Sequence, residues 1–427
     1  MNDMKSINET IYRISNNITG PVMFHFVWWI LNEANKRGIK RLYFLARDGY
    51  VLRDIAIRFC EQFGLDIECR YLYCSRKSLR MPSYHFIGDE AYDLLLLGGY
   101  NVTLRSLMER AEFSEEERME IYKETGLDIE RENEPLSKIQ LHFITNKLRE
   151  STLYRKLINQ KSRASYEAAI GYLKQEGLFD IDRIAIVDSG WTGSMQRSLR
   201  QLLESTGRQV NIIGFYFGMY VDPKEEKDGE YLCWYFNRNS SKYDKIFFSN
   251  NVFECMLSAP HGMTTGYEAD EKGGWRPVLN EGPSASIHDL INTQINGILD
   301  YTDKYLTEIN FKDFNQEVLK KRTKKLLKRI MVSPTYQEAE AIGAFAFCDD
   351  ITEFYKLPLA HENQVKALKR YAIIPRIVRK LIGRSSEFNA QELFWPYGTA
   401  AFLPSRFQRW WYKQNIFVWE WLRYTLK

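Results

Sequence analysis

The six cysteines, Cys60, Cys69, Cys74, Cys233, Cys255 and Cys348, include no CxxC pair, and none has a histidine at metal-ligand spacing. That argues against a zinc site and a disulfide framework and fits a reducing compartment. Long apolar runs are missing too. The longest near the N-terminus, residues 21–31, is too short to cross a bilayer and contains His25, while residues 1–19 are polar with no positive-then-apolar signal pattern. A cytoplasmic location is expected. Charge of one sign is scarce: the formal net charge is only +4, and with no basic-aromatic reader motif a nucleic-acid partner is not expected. Glycine and proline, at 25 and 12 residues, are too few for a low-complexity chain.

What is present is apolar and aromatic. Hydrophobic residues make up 44% and aromatic residues 14% of 427 positions, enough for a sizeable core and too much chain for one small domain. Basic residues gather late, in Lys366-Ala367-Leu368-Lys369-Arg370 and Arg376-Ile377-Val378-Arg379-Lys380. They precede the aromatic-basic stretch Arg406-Phe407-Gln408-Arg409-Trp410-Trp411-Tyr412-Lys413. Residues 407–422 have the composition of a helix lying on anionic lipid, or equally of one packing its rings into a core.

Periodicity orders the rest. Residues 20–37 read as an amphipathic helix with Phe24, Trp28 and Leu31 at helical spacing and Gly38 as its stop. A short apolar strand over 41–46, a helix over 50–63 and a strand over 70–74 close a βαβ unit, which favours a parallel sheet. Residues 89–178 are helical and charged, as an insertion would be. A buried-type strand over 183–187, a helix over 195–205 and a strand over 211–217 form a second βαβ unit. Residues 230–236 read as a further strand and 250–257 as a helical turn. The expected fold is therefore α/β: a Rossmann-like, mostly parallel sheet with a helical insertion and a helical C-terminal region. Its divisions are 1–88 and 181–285 for the two halves of the core, 89–180 for the insertion, and 286–427 for the helical, basic-aromatic end.

In an open parallel sheet, ligands bind beyond the carboxyl ends of the strands. Two turns fall there. Val187-Asp188-Ser189-Gly190-Trp191-Thr192-Gly193-Ser194 has an acid, then glycines that let a phosphate approach, hydroxyls on Thr192 and Ser194, and a helix start with open N–H groups. Asp188 could accept from sugar hydroxyls or hold a magnesium ion through water. The plainer alternative is a tight turn with Ser194 as helix cap. Ala46-Arg47-Asp48-Gly49 sets a guanidinium beside a carboxylate, either a surface ion pair or a phosphate clamp next to a proton acceptor. Arg76 and Lys77 add cations to the same rim. A third cluster, Asn250, Asn251 and Glu254 with Pro260-His261-Gly262-Met263-Thr264-Thr265-Gly266-Tyr267, could form an acceptor-side loop; taken singly, Glu254 reads as a capped acid and His261 as a turn residue.

These motifs carry a resemblance. Gly20-Pro21 before an aromatic helix, Tyr43-Phe44-Leu45-Ala46-Arg47-Asp48-Gly49, Tyr73-Cys74-Ser75-Arg76, Val187 through Gln196, and Pro260-His261-Gly262 resemble the C-terminal part of bacterial dual-domain ribofuranosyltransferases. In that family a glycan phosphoribosyltransferase domain is joined to a haloacid-dehalogenase-type phosphatase. The resemblance runs over most of the chain. It implies transfer of ribose 5-phosphate from phosphoribosyl diphosphate (PRPP) onto a sugar hydroxyl of a growing surface polysaccharide, such as an O-antigen or capsule, followed by removal of the phosphate. No Asp-x-Asp-x-Thr phosphatase motif follows an apolar strand near residue 1, so a phosphorylated product and a separate phosphatase are expected. The Asp188 turn is also similar to the donor loop of ordinary phosphoribosyltransferases, with Ser189 where the usual second acid stands.

The expected site follows. Gly190 to Ser194, with Ser189, Trp191, Thr192, Gly193 and Gln196, hold the 5-phosphate side of the donor. Asp188 contacts ribose hydroxyls. Arg47, Gly49, Arg76 and Lys77 hold the diphosphate with magnesium. Asp48 is the general base, with Glu254 second, and His261, Thr265 and Tyr267 face the acceptor, which a lipid at the membrane's inner face could carry. Two other readings stand beside it: a sugar phosphatase built on Asp188, which needs a second acid where Gly190 stands, and a non-catalytic scaffold that binds membrane and glycan.

Overall fold

The structure, a computed structural model, describes residues 2–98, 102–222, 229–347, 356–372 and 393–425. Cys348, the basic run Arg376-Ile377-Val378-Arg379-Lys380 and the rest of 373–392 lie outside them. The fold is α/β. Five strands, β1 (Arg41–Leu45), β2 (Glu68–Leu72), β3 (Arg183–Trp191), β4 (Asn211–Met219) and β5 (Glu230–Phe236), make one sheet. Its order is β2-β1-β3-β4-β5, and every pairing is parallel. Strand order reverses between β1 and β3, and at such a switch point the connections leave towards opposite faces and a crevice opens.

Strand alternation fixes the two faces. On one, Phe44, Ala185, Val187, Ile213 and Phe215 meet Val51, Leu52, Ile55 and Phe59 of the helix Gly49–Phe63. On the other, Tyr43, Leu45, Ile184, Ile186 and Ile212 meet Leu199, Leu202 and Leu203 of the helix Ser194–Glu204. Buried Leu, Ile and Phe on both faces give the central strands β1, β3 and β4 near-continuous apolar runs, as a doubly covered parallel sheet requires.

Two expectations need correcting, the single-stripe helix at residues 20–37 and the loop after Pro260. The helix Gly20–Lys36 is buried on nearly all sides rather than along one stripe, because the polar N-terminal segment is itself a helix, Asn2–Ile14, that brings Ile11 and Ile14 into the same core. Residues 285–306 form a long helix that joins this core through Leu290, Ile291 and Ile298, so the first and last parts of the chain share one interior. The insertion has its own core, built around Leu107, Met108, Ile121, Leu148 and Tyr154. Yet its last helix, Thr152–Gln175, leaves that core to cover the sheet with Ala169, Tyr172 and Leu173. Finally, the segment after Pro260 is an antiparallel hairpin of β6 (Thr264–Ala269) and β7 (Trp275–Leu279), not a loop.

Among the described residues no helix is long and apolar enough to cross a membrane. The C-terminal helix Arg406–Thr425 buries Asn415 and Ile416 and sets Trp419 edge-on to Tyr371, 6.3 Å between centroids, while Phe407 and Trp410 stay 68% and 55% exposed.

Candidate functional site

The site grows out of strand ends at the switch point. β3 runs to Trp191, so Asp188, Ser189, Gly190 and Trp191 are strand rather than turn: Asp188 pairs with Tyr216, Gly190 with Gly218 and Trp191 with Met219. The turn proper is only Thr192 and Gly193. Gly190 is at φ 110° with the Gly218 carbonyl 2.4 Å from where a Cβ would stand, so no other residue fits. Gly190 therefore sets strand packing, and the opening toward a ligand begins two residues later. Trp191 is held at φ 74°, a strained conformation for a large side chain and one that clusters at functional sites.

Gly193 precedes the helix Ser194–Glu204 with no side-chain cap, and among the described residues the Thr192 and Ser194 hydroxyls are not engaged. The first-turn N–H groups are thus open at the positive end of the helix dipole. Gln196 lies deeper. It is fully buried, donates from Nε2 to the Ile212 and Glu230 carbonyls at 3.2 and 3.3 Å, and accepts from the Tyr216 hydroxyl at 2.8 Å. The structure puts it in the frame that ties this helix to β4 and β5.

Across the crevice, β1 ends at Leu45, and after Ala46, Arg47 and Asp48 the helix Gly49–Phe63 begins. Gly49 lets that helix start against the strand: a Cβ there would lie 2.6 Å from the Phe44 carbonyl carbon. Asp48 occupies the cap position but does not cap; its carboxylate accepts from the Ser189 hydroxyl instead, joining the β1 and β3 ends. Glu254, from the helix Asn250–Cys255, arrives from a third direction and accepts from Trp191 Nε1 at 2.6 Å.

Asp48, Asp188 and Glu254 therefore meet in one half-buried cluster, and their acidities separate. Burial, then the Asp48 charge, lifts Asp188 to about 7 against the backbone N–H groups of Ser189 and Gly190. Burial, then Asp48, lifts Glu254 to about 8. Burial raises Asp48 too, but the Ser189 hydroxyl and the Arg47 and Arg76 guanidiniums oppose it. At neutral pH Glu254 keeps its proton, and Asp48 is the carboxylate best placed to be ionised. Arg76 is exposed and within charge range of all three acids. Lys77 instead pairs with Glu112 of the insertion at 2.7 Å.

His261 lies behind this cluster in a box of rings: Tyr73, Tyr71 and Tyr50, at 5.1, 5.7 and 5.9 Å. Its Nδ1 is 2.8 Å from the Gly262 carbonyl, which can only accept, so Nδ1 carries the proton and Nε2 accepts from the Tyr71 hydroxyl at 2.7 Å. Burial lowers its pKa and keeps it neutral. Thr265 donates to the Val278 carbonyl at 3.2 Å inside the hairpin, and Tyr267 donates to the Tyr73 carbonyl at 2.9 Å and stacks on Tyr172. Thr265 braces the hairpin itself and Tyr267 ties it to the sheet, whereas His261 lies within charge range of Arg47.

Among the described residues no group of three or more His, Cys, Asp or Glu side chains is placed to hold a metal ion. Two neighbouring carboxylates, with the Asp48 charge raising Asp188, do fit a hydrated magnesium whose remaining partners are ligand phosphates. Tyr71, Arg80 and Arg197 are the residues near the site that motif reading missed. The i, i+4 spacing of Arg76 and Arg80 was a usable signal, whereas Tyr71 depends on a contact 190 residues away. Fold and site together define a doubly wound α/β protein with an acid-and-guanidinium cleft at its switch point. The chain matches no protein-family model and no curated protein.

Proposed function

We propose that the chain is a glycosyltransferase that moves ribose 5-phosphate from PRPP onto a sugar hydroxyl of a bacterial surface polysaccharide, releasing diphosphate. One observation carries the reading: an ionisable carboxylate, two acids with raised pKa and two arginines meet at the switch point beside an uncapped helix start. In the proposed reaction the acceptor hydroxyl attacks C1 of the ribose, the C1–O bond to diphosphate breaks with its electron pair, and the hydroxyl proton passes to Asp48. The open first turn at Ser194 receives phosphate, Arg47 and Arg76 balance the departing diphosphate, and Asp188 orients ribose hydroxyls. A magnesium ion, when bound, would neutralise further diphosphate charge. His261 and its tyrosine box suit the acceptor side, since sugars stack on rings. A phosphatase is disfavoured because its second acid would fall at Gly190, where no side chain fits.

The exposed Phe407 and Trp410 support a peripheral contact with the inner face of the membrane, where a lipid-linked acceptor would wait; flotation with anionic liposomes tests it. The transfer reading is tested by calorimetric titration with PRPP, with and without magnesium, against nucleotide sugars. Micromolar binding that Asp188→Ala removes is expected. Binding of a nucleotide sugar and none of PRPP would overturn the donor.

A further inference from the structure

One cation near the site has no counterpart. Arg80 ends the short helix Arg76–Arg80, whose Ser75 capping box fixes its start, so Arg76 and Arg80 lie one turn apart on the same side. Arg80 is only 6% exposed. Among the described residues its side chain makes no hydrogen bond or ion pair, and its Nε is buried with no partner. Its charged neighbours give little relief: Arg76 and Arg197 are cations, and Glu90 is the carboxylate that bears on it. That carboxylate is already taken, by Arg197 at 2.9 Å and the Gln201 amide at 3.1 Å. A buried, unpaired guanidinium costs several kcal/mol and is seldom kept for stability alone.

Arg197 is on the first turn of the helix Ser194–Glu204, three residues past its open start. Arg76 is within charge range of Arg80 on one side and of Asp48, Asp188 and Glu254 on the other. The cavity of about 330 Å³ lined by Arg197 and Arg200 is a poorer home for an anion than the side of Arg80, because both of those cations are matched, Arg197 by Glu90 at 2.9 Å and Arg200 by Glu204 at 2.6 Å. We propose that Arg80, with the open turn at Ser194, forms a phosphomonoester subsite set apart from the acids, and that it takes the 5-phosphate end of the donor. The identity of the ligand rests on the transfer reading; the anion site itself does not. Burial, which pulls the Arg80 pKa down to about 10, is the penalty a bound dianion would relieve.

Titration calorimetry of the full chain with ribose 5-phosphate and with inorganic diphosphate tests it. Arg80→Met, which keeps the bulk, should weaken ribose 5-phosphate about ten- to a hundred-fold, the size of lost charge-assisted hydrogen bonds. It should leave diphosphate binding within about two-fold. The ligand-free Arg80→Met chain should melt no lower than wild type, because a charge without a partner is removed; a structural arginine would lower the midpoint. No ribose 5-phosphate binding by wild type, undiminished binding by folded Arg80→Met, or a loss confined to diphosphate would each overturn the subsite. If transfer from PRPP persists in that event, the transfer reading stands without it. If ribose 5-phosphate binds through Arg80 but no transfer occurs, the subsite stands and the transfer reading falls.

Discussion

In the insertion, the helices Leu104–Glu109, Glu115–Thr125 and Lys138–Glu150 each begin with a capping box, formed by Thr103 with Ser106, Ser114 with Glu117 and Ser137 with Gln140. At the switch point the helices Gly49–Phe63 and Ser194–Glu204 begin with no side-chain cap, although Asp48 stands at the right position to supply one. The insertion satisfies its own helix ends and packs a closed core. The switch point leaves its donors open, diverts Asp48 to Ser189, and crowds acids whose charges oppose one another. A helix start closed by its own sequence belongs to the scaffold, and one left open is available to a ligand.

The sharpest way to break this contrast is Asp48→Asn. Turnover in a PRPP transfer assay should fall on the order of 10³-fold, the range for loss of a general base, with the unfolding transition intact. Unchanged turnover would remove Asp48 from the chemistry.

A second test reads the crowding itself. The Glu254 carboxyl rises from 4.5 unfolded to about 8 folded, so between those values the folded chain holds a proton that the unfolded chain has released. Stability should therefore fall as pH rises through that window, and Asp188 adds to the same slope. Glu254→Gln, always neutral, should match wild type near pH 4.5 and exceed it at pH 8 by on the order of 2 kcal/mol, after allowance for partial exposure. Urea unfolding at the two pH values measures it, and a wild-type chain that gains stability up to pH 8 would contradict the clustered acids.

The smallest effect belongs to the scaffold side. Ser137→Ala should cost about 1 kcal/mol and leave transfer unchanged. A matching loss of activity would show that the insertion's caps serve the site as well.

Much of the sheet could be read in advance, because β1, β4, β5 and the core of β3 are apolar runs that only a doubly covered sheet buries. The far end of β3 was hidden. Asp188, Ser189 and Gly190 are poor strand formers, and pairing with Tyr216, Gly218 and Met219 overrides that preference. The helix Asn2–Ile14 was hidden for a similar reason: its partners lie near 300, where Tyr12 reaches Asp300 at 2.7 Å. The acids at 48, 188 and 254 were legible one by one from strand ends and helix turns. Their grouping was not, since the Trp191–Glu254 bond spans 63 residues and the Ser189–Asp48 bond spans 141. The i, i+4 spacing of Arg80 from Arg76 set the two on one side of a helix, but nothing in a short basic run tells which cation will be enclosed.

The helix Thr152–Gln175 has a consequence for how such a protein could change over generations. Its first half belongs to the insertion and its second half to the sheet, so the boundary between replaceable and fixed parts falls inside one helix. Recombination that exchanged residues 89–158 and kept the second half of that helix would alter what surrounds the cleft while preserving Tyr43 and Arg70, which grip the Glu176 carbonyl at 2.9 and 2.7 Å, and the acids beyond them. What the cleft admits could then change by swapping a module, with the acids and the sheet inherited unchanged.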